Sequence, residues 1–229
     1  MHPQLPARDA DLIQIVDANL EDANRRGGVH IACRPGCTPC CHGVFRISAL
    51  DAARLQAGLA ALRQSDPVRA AKVEQRAHLS VQQLAPLFPG NPATGFLLPD
   101  EESDEPQEPD MPEALEAAQG PQQSAWDTFA DLPAADRPCP ALEPDTGTCA
   151  LYSARPMTCR VFGPPVETED GIGVCELCYT GASQQEIMDG RMRIDHQALE
   201  AELDHQLANA GHSEQTIVAW ALHTMRTQP

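Results

Sequence analysis

A chain of 229 residues is long enough to bury a core, but this one has only nine aromatic side chains to fill it and carries nine cysteines and a formal net charge of −17. That charge argues against nucleic acid and against a membrane as partners, because phosphates and anionic headgroups repel it, and no run of 18 apolar residues offers a span. Twelve of the acids, with no Lys or Arg among them, lie between Ala77 and Asp136, so the rest of the chain is only mildly acidic.

Taken in chain order, the first twenty residues have no basic region, no unbroken apolar segment and no cleavage site, so the predicted location is cytoplasmic. In that compartment thiols stay reduced, and an odd number of cysteines is not a disulfide framework. Leu12, Ile13, Ile15, Val16 and Leu20 recur at helical spacing, with Asp9 or Asp11 near the start and Gly27-Gly28 as the stop. Ser48 is placed to cap a second helix, with Asp51 three residues on and Leu50, Leu55, Leu59 and Leu62 as its buried stripe. A third helix is predicted after Asp66, with Pro67 in its first turn, running to about Leu84 and forming a hairpin with the second.

From Pro89 to Pro112 the chain is rich in proline and acid and poor in core residues, which predicts a solvated, disordered insertion. A short helix from Glu113 to about Phe129 leads back to the body, and helices from about His196 to Ala210 and from Ser213 to about Thr227 close the chain. The organisation is therefore one domain in three stretches. Residues 1–88 carry the first helix, the first cysteine cluster and the hairpin; 89–112 are the insertion; 113–229 carry the second cysteine region and the last helices. Abundant Ala and Leu without alternating strands and helices predict a mainly α fold, with two cysteine-rich loops and at most a short β-hairpin.

The chemistry lies in the cysteines. "CRPGCTPCCHG" supplies Cys33, Cys37, Cys40 and Cys41; Cys139, Cys149, Cys159, Cys175 and Cys178 follow only after 97 residues that contain none. Gaps of two or three residues let a turn aim both sulfurs at one centre, as for Cys33, Cys37 and Cys40 and for Cys175 and Cys178. The adjacent Cys40 and Cys41 diverge unless the backbone curls around a polynuclear centre or the two serve different centres. Pro35, Gly36, Pro39 and Gly43 form turns whose N–H groups can face thiolates, and His30 and His42 are spare nitrogen ligands. A catalytic thiol needs one activated cysteine and not four crowded together. The spacing of Cys33, Cys37 and Cys40 is shared with radical SAM enzymes, but the alternating elements of their barrel are missing. In the second region, "EPDTGT" is a turn that lets Cys139 and Cys149 face each other across a hairpin. Arg155-Pro156 then starts the turn or short helix that delivers Cys159 and the neighbouring Arg160, a cofactor-binding candidate that can offset thiolate charge or hold an anion.

Together, "CRPGCTPCCHGVFRISALDAARL" and "RPCPALEPDTGTCALYSARPMTCRVFG" resemble the YkgJ-type cysteine-cluster proteins, a zinc- or iron-chelating domain family. The resemblance covers about Ala32 to Leu62 and Arg137 to Phe162. It implies metal ligation at Cys33, Cys37, Cys40, Cys41, Cys139, Cys149 and Cys159, with Arg155, Pro156 and Arg160 as part of the motif. Cys175 and Cys178 join the ligand set on their spacing alone. Nine thiols with an adjacent pair exceed the needs of one tetrahedral zinc, which favours an iron–sulfur cluster such as 4Fe-4S in a redox, metal-handling or accessory role. The alternatives are a structural zinc protein and an iron–sulfur-dependent methyltransferase, since a flagellin lysine methylase is similar in this pattern. No Gly-rich nucleotide loop is present to supply a second substrate pocket, so catalysis is left open, as is a protein partner.

Overall fold

A computed structural model of the protein describes residues 4–99, 124–133, 135–168 and 171–223. Helix α1 (Asp9–Gly27) buries Leu12, Val16 and Ala23 and ends where Gly28 takes a positive φ of 49°. Helix α2 (Ala49–Ser65) is capped by Ser48, whose side chain accepts from the Asp51 N–H at 3.2 Å. Asp66 then ends α2 and caps α3 (Pro67–Leu84), which buries Ala70, Val73, Ala77, Val81 and Leu84 along one stripe. These bounds match the predicted hairpin.

The second half is built from shorter pieces. They are α4 (Ala125–Ala130), α5 (Met157–Val161), α6 (Gln184–Gly190), α7 (Gln197–Asn209) and α8 (Val218–His223). Three apolar clusters join the two halves. One gathers α2, α3, α8 and the Leu151–Ala154 turn, and a second gathers α1, α7, Leu50, Met157 and Met192. The third concentrates four of the nine aromatics. Phe88 stacks on Trp220 with ring centres 4.0 Å apart and meets Phe129 edge-on at 6.1 Å, while Trp126 lies 5.8 Å from Phe129.

The mainly α fold is borne out, and the β-structure beside it is small. Among the described residues it comprises four antiparallel pairs: β1 (Arg46–Ile47) with β8 (Thr216–Ile217), β2 (Gly90–Asn91) with β3 (Phe96–Leu97), β4 (Leu142–Glu143) with β5 (Thr148–Cys149), and β6 (Val166–Thr168) with β7 (Gly171–Gly173). Two expectations are corrected. The stretch predicted to be solvated from Pro89 is, over 89–99, the β2–β3 hairpin seated on the body. Leu97 is buried, the Trp220 Nε1–H donates to the Pro92 carbonyl at 2.9 Å, and the Thr216 hydroxyl donates to the Gly95 carbonyl at 2.6 Å. The helix predicted from Ser213 begins at Val218, because Thr216 and Ile217 pair with the strand that follows the first cysteine loop. The rest of the acidic stretch, 100–112, and the predicted helical residues 113–123 lie outside the described residues.

Candidate metal centre

The first cysteine loop consists of successive tight turns. The Cys37 N–H donates to the Arg34 carbonyl at 2.9 Å and the Cys41 N–H to the Thr38 carbonyl at 2.8 Å, the latter closing a 3₁₀ turn, Pro39–Cys41, opened by the proline. The second region is stitched to this loop through the backbone. The Cys139 N–H donates to the Cys41 carbonyl at 2.7 Å, the Gly43 N–H donates to the Arg137 carbonyl at 3.0 Å, and His42 pairs with Pro138 in an isolated bridge.

Each later cysteine has its own support. Cys149 ends β5 opposite Leu142, so the predicted hairpin is present but Cys139 lies just outside it. Cys159 rides on α5. That helix has no side-chain cap of its own, and the buried Asp51 carboxylate accepts its first N–H, from Met157, at 2.9 Å. Asp51 therefore anchors the helix carrying a thiol. Cys175 and Cys178 form a turn in which the Cys178 N–H donates to the Cys175 carbonyl at 2.8 Å. The turn is held on the first region by Ala32 N–H to Cys178 Sγ at 3.4 Å and Tyr179 N–H to the His30 carbonyl at 2.8 Å.

Seven of the nine cysteines, Cys33, Cys37, Cys40, Cys41, Cys139, Cys149 and Cys159, line one cavity of about 390 Å³. Its other walls include the apolar Leu20, Phe45, Leu55 and Phe162 together with Arg155 and Arg160. Cys175 and Cys178 lie outside this lining. All nine cysteines are free. His42 keeps its Nδ1 3.1 Å from the Thr38 carbonyl, and His30 stacks on Tyr179, so both predicted spare ligands are engaged locally.

The electrostatics favour a cation. Burial pushes the Cys139 thiol up to about 12 and raises Cys149 and Cys159; Cys139, Cys149 and Cys40 raise Cys159 further. Cys40 is raised first by its hydrogen bond with the Cys41 thiol, and Cys33 by burial and then by Cys37, Cys40, Cys178 and Cys175. Opposing these sulfurs are two buried guanidiniums. Arg160, 1% exposed, donates from Nη1 to Asp17 at 2.7 and 2.9 Å and from Nη2 to the Ser153 carbonyl, while its Nε has no partner among the described residues. Arg155, 7% exposed, donates to the Tyr152 carbonyl at 2.8 Å, stacks 3.9 Å over that ring, and shares Asp17 at 3.6 Å. Two cations thus share one half-exposed carboxylate. Asp17 and Tyr152 carry no local sequence signal for this role; only the fold brings them to the motif arginines.

The donor set suits a soft or borderline metal: crowded, mostly half-buried thiols that resist ionisation alone and are relieved by a cation. Among the described residues, no three His, Cys, Asp or Glu side chains stand in an arrangement that holds a metal ion. No described helix is long and apolar enough to cross a membrane.

A family model described as "CxxCxxCC: Putative zinc- or iron-chelating domain" matches residues 93–185. The matched segment contains Cys139, Cys149, Cys159, Cys175 and Cys178 and leaves Cys33 to Cys41 outside it, although these touch the segment through the backbone. Neither a curated protein nor a solved structure matches the chain. Over residues 93–185 the chain is thus similar to a domain described as a putative zinc- or iron-chelating one, in line with the cysteine-cluster motif it resembles.

Proposed function

We propose that the cavity holds an iron–sulfur centre and that the protein serves a redox, metal-handling or accessory role in a reducing, cytoplasmic setting. The observation that carries this reading is the lining of seven thiols around about 390 Å³, more sulfur and more room than one tetrahedral ion needs. When bound, such a group supplies one-electron transfer.

The chain's own residues supply the rest. Cys149 on the hairpin and Cys159 on α5 present sulfurs from regular elements, Cys139 stands just before the hairpin, and Cys40 and Cys41 bring theirs from the facing loop. Arg155 and Arg160 offset the negative charge that thiolates accumulate, and the spare Nε donor of Arg160 is suited to an anionic cluster. Phe45, Leu55 and Phe162 keep part of the wall apolar, which shields the centre from water and tunes its potential.

Visible spectroscopy of anaerobically isolated protein tests this reading. A broad band near about 400 nm that bleaches on reduction is expected for sulfide-to-iron charge transfer. A colourless protein loaded with zinc alone would contradict it.

A further inference from the structure

One wall of the cavity brings no thiol to it. Helix α1 has no cysteine, yet its Leu20 and Asn24 line the space. With Asp17 they fall at i, i+3 and i+7, so the three lie along one helical face, which is tied to α5 where Arg160 donates to Asp17. Two polar atoms of the cavity-lining residues are buried and have no hydrogen-bond partner among the described residues: the Nε–H donor of Arg160 and the Oδ1 acceptor of Asn24. Buried polar groups are nearly always satisfied, and those that are not commonly await a bound molecule.

The charges are lopsided as well. The side chains of Arg160 and Arg155 are 0% and 9% exposed, whereas Asp17, which serves both, is 46% exposed. Two buried cations against one carboxylate leave a single positive charge over, the complement of a monoanion. A planar fork of N–H donors is matched by the paired oxygens of a carboxylate, whereas offsetting thiolate charge acts at a distance and occupies no N–H. Much of the remaining lining is apolar, with Phe45, Leu55 and Phe162 beside Leu20. A volume of about 390 Å³ and a mostly apolar wall with a few placed polar groups describe a small-molecule pocket, for which about 300–1,000 Å³ is usual. Asp17 and Asn24 are seven residues apart, about 10 Å along the helix, which sets the distance between the two ends of an occupant.

We propose that this side of the cavity binds a small organic acid. Its carboxylate meets Arg160 and Arg155, its apolar body lies on Leu20, and its far end donates a hydrogen bond to Asn24. The site rests on the cavity described above and not on which metal the thiols hold.

Para-hydroxyphenylpropionate has this shape and serves as the probe. Titrated into the anaerobically purified full chain and followed by saturation-transfer NMR, it should bind saturably, and para-ethylphenol, which lacks the carboxylate, at least about tenfold more weakly. Asn24→Leu should weaken the hydroxylated acid about fivefold and leave phenylpropionate, which has no hydroxyl, unchanged. Arg160→Met should abolish the preference for the acid over para-ethylphenol; if that variant fails to fold, the same comparison on the wild type carries the test. No saturable binding of the acid, equal binding of acid and para-ethylphenol, or an Asn24→Leu variant that weakens both acids alike or neither, overturns the site. Metal content of the same samples keeps the two readings apart. Metal without acid binding overturns this site alone, and acid binding to a metal-free chain upholds it while contradicting the metal centre.

Discussion

The two cysteine regions solve the same problem in opposite ways. The first packs four thiols into nine positions, on turns with little regular structure, and its sulfurs are half-buried or exposed. The second spreads its thiols over forty residues but places Cys149 on a strand, Cys159 on a helix and Cys178 in the interior. A compressed loop can reshape around a metal at low cost, whereas a set dispersed in sequence must be positioned by the fold. We therefore take the second region as the template and the first as the part that adjusts to it.

The sharpest way to break this contrast is Cys159→Ser. If the template is fixed, the loop cannot supply a substitute, and the cavity should lose at least about tenfold in metal affinity; the same change at Cys41, beside a neighbouring thiol, should cost less. Metal analysis of the two variants checks the asymmetry.

Next comes the support beneath the template. Arg54, 3% exposed, lies between Asp9, at 2.6 Å, and Asp51, the carboxylate that holds the start of α5. Arg54→Met leaves two carboxylates buried without their cation and should cost about 3 kcal/mol, roughly 6–12 °C in melting temperature. Cavity metal should fall with it if α5 is positioned through Asp51.

A smaller effect is expected where the regions touch. Gly147, in the β4–β5 turn, has φ +65°, and an added Cβ would meet the Gly36 Cα at 3.1 Å and Thr38 at 3.2 Å. Gly147→Ala should cost about 1–2 kcal/mol and weaken metal binding by pushing the first loop away. Gly211→Ala carries the same backbone strain, with φ +85° and nothing within 4 Å, and should leave the metal unaffected. Equal metal loss in both would remove the loop contact from the account.

The smallest effect is a pH dependence behind the template. Burial, with Asp51 and Asp204 nearby, raises Glu200 to about 7, and Asp51 and Asp204 are themselves raised. The folded chain holds a proton that the unfolded chain releases near 4.5. Stability from this group is therefore full at low pH and declines as pH rises from about 4.5 through about 7. Glu200→Gln should flatten that decline, by about 1 kcal/mol after allowing for partial exposure. Metal affinity runs the other way. The raised thiols must lose protons to ligate, so loading should strengthen with pH, and titrations at several pH values separate the two slopes.

The scaffold was readable where periodicity and capping agree locally. Helices α1, α2 and α3 follow from Leu spacing, Ser48, Asp66 and Pro67, and α7 from its Leu199, Leu203 and Leu207 stripe. Helix α6 was readable and missed: Ser183 and Glu186 form a reciprocal capping box. The β1–β8 pair and the seating of 89–99 were not readable, because two-residue strands far apart in sequence leave no pattern, and the apolar surface that holds Leu97 comes from Trp220 and its neighbours. At the site, the motif arginines were visible but their shared Asp17 was not. The contact of the Cys175–Cys178 turn with Ala32 and His30 likewise arises only in the fold.

The central claim is that the two regions bind metal together as thiolates. Measuring metal and free thiols per chain in folded protein isolated without oxygen tests it most directly. The account predicts stoichiometric metal, most thiols blocked until a chelator is added, and loss of helix content on chelation. A fully folded, metal-free chain with nine freely reactive thiols would contradict it.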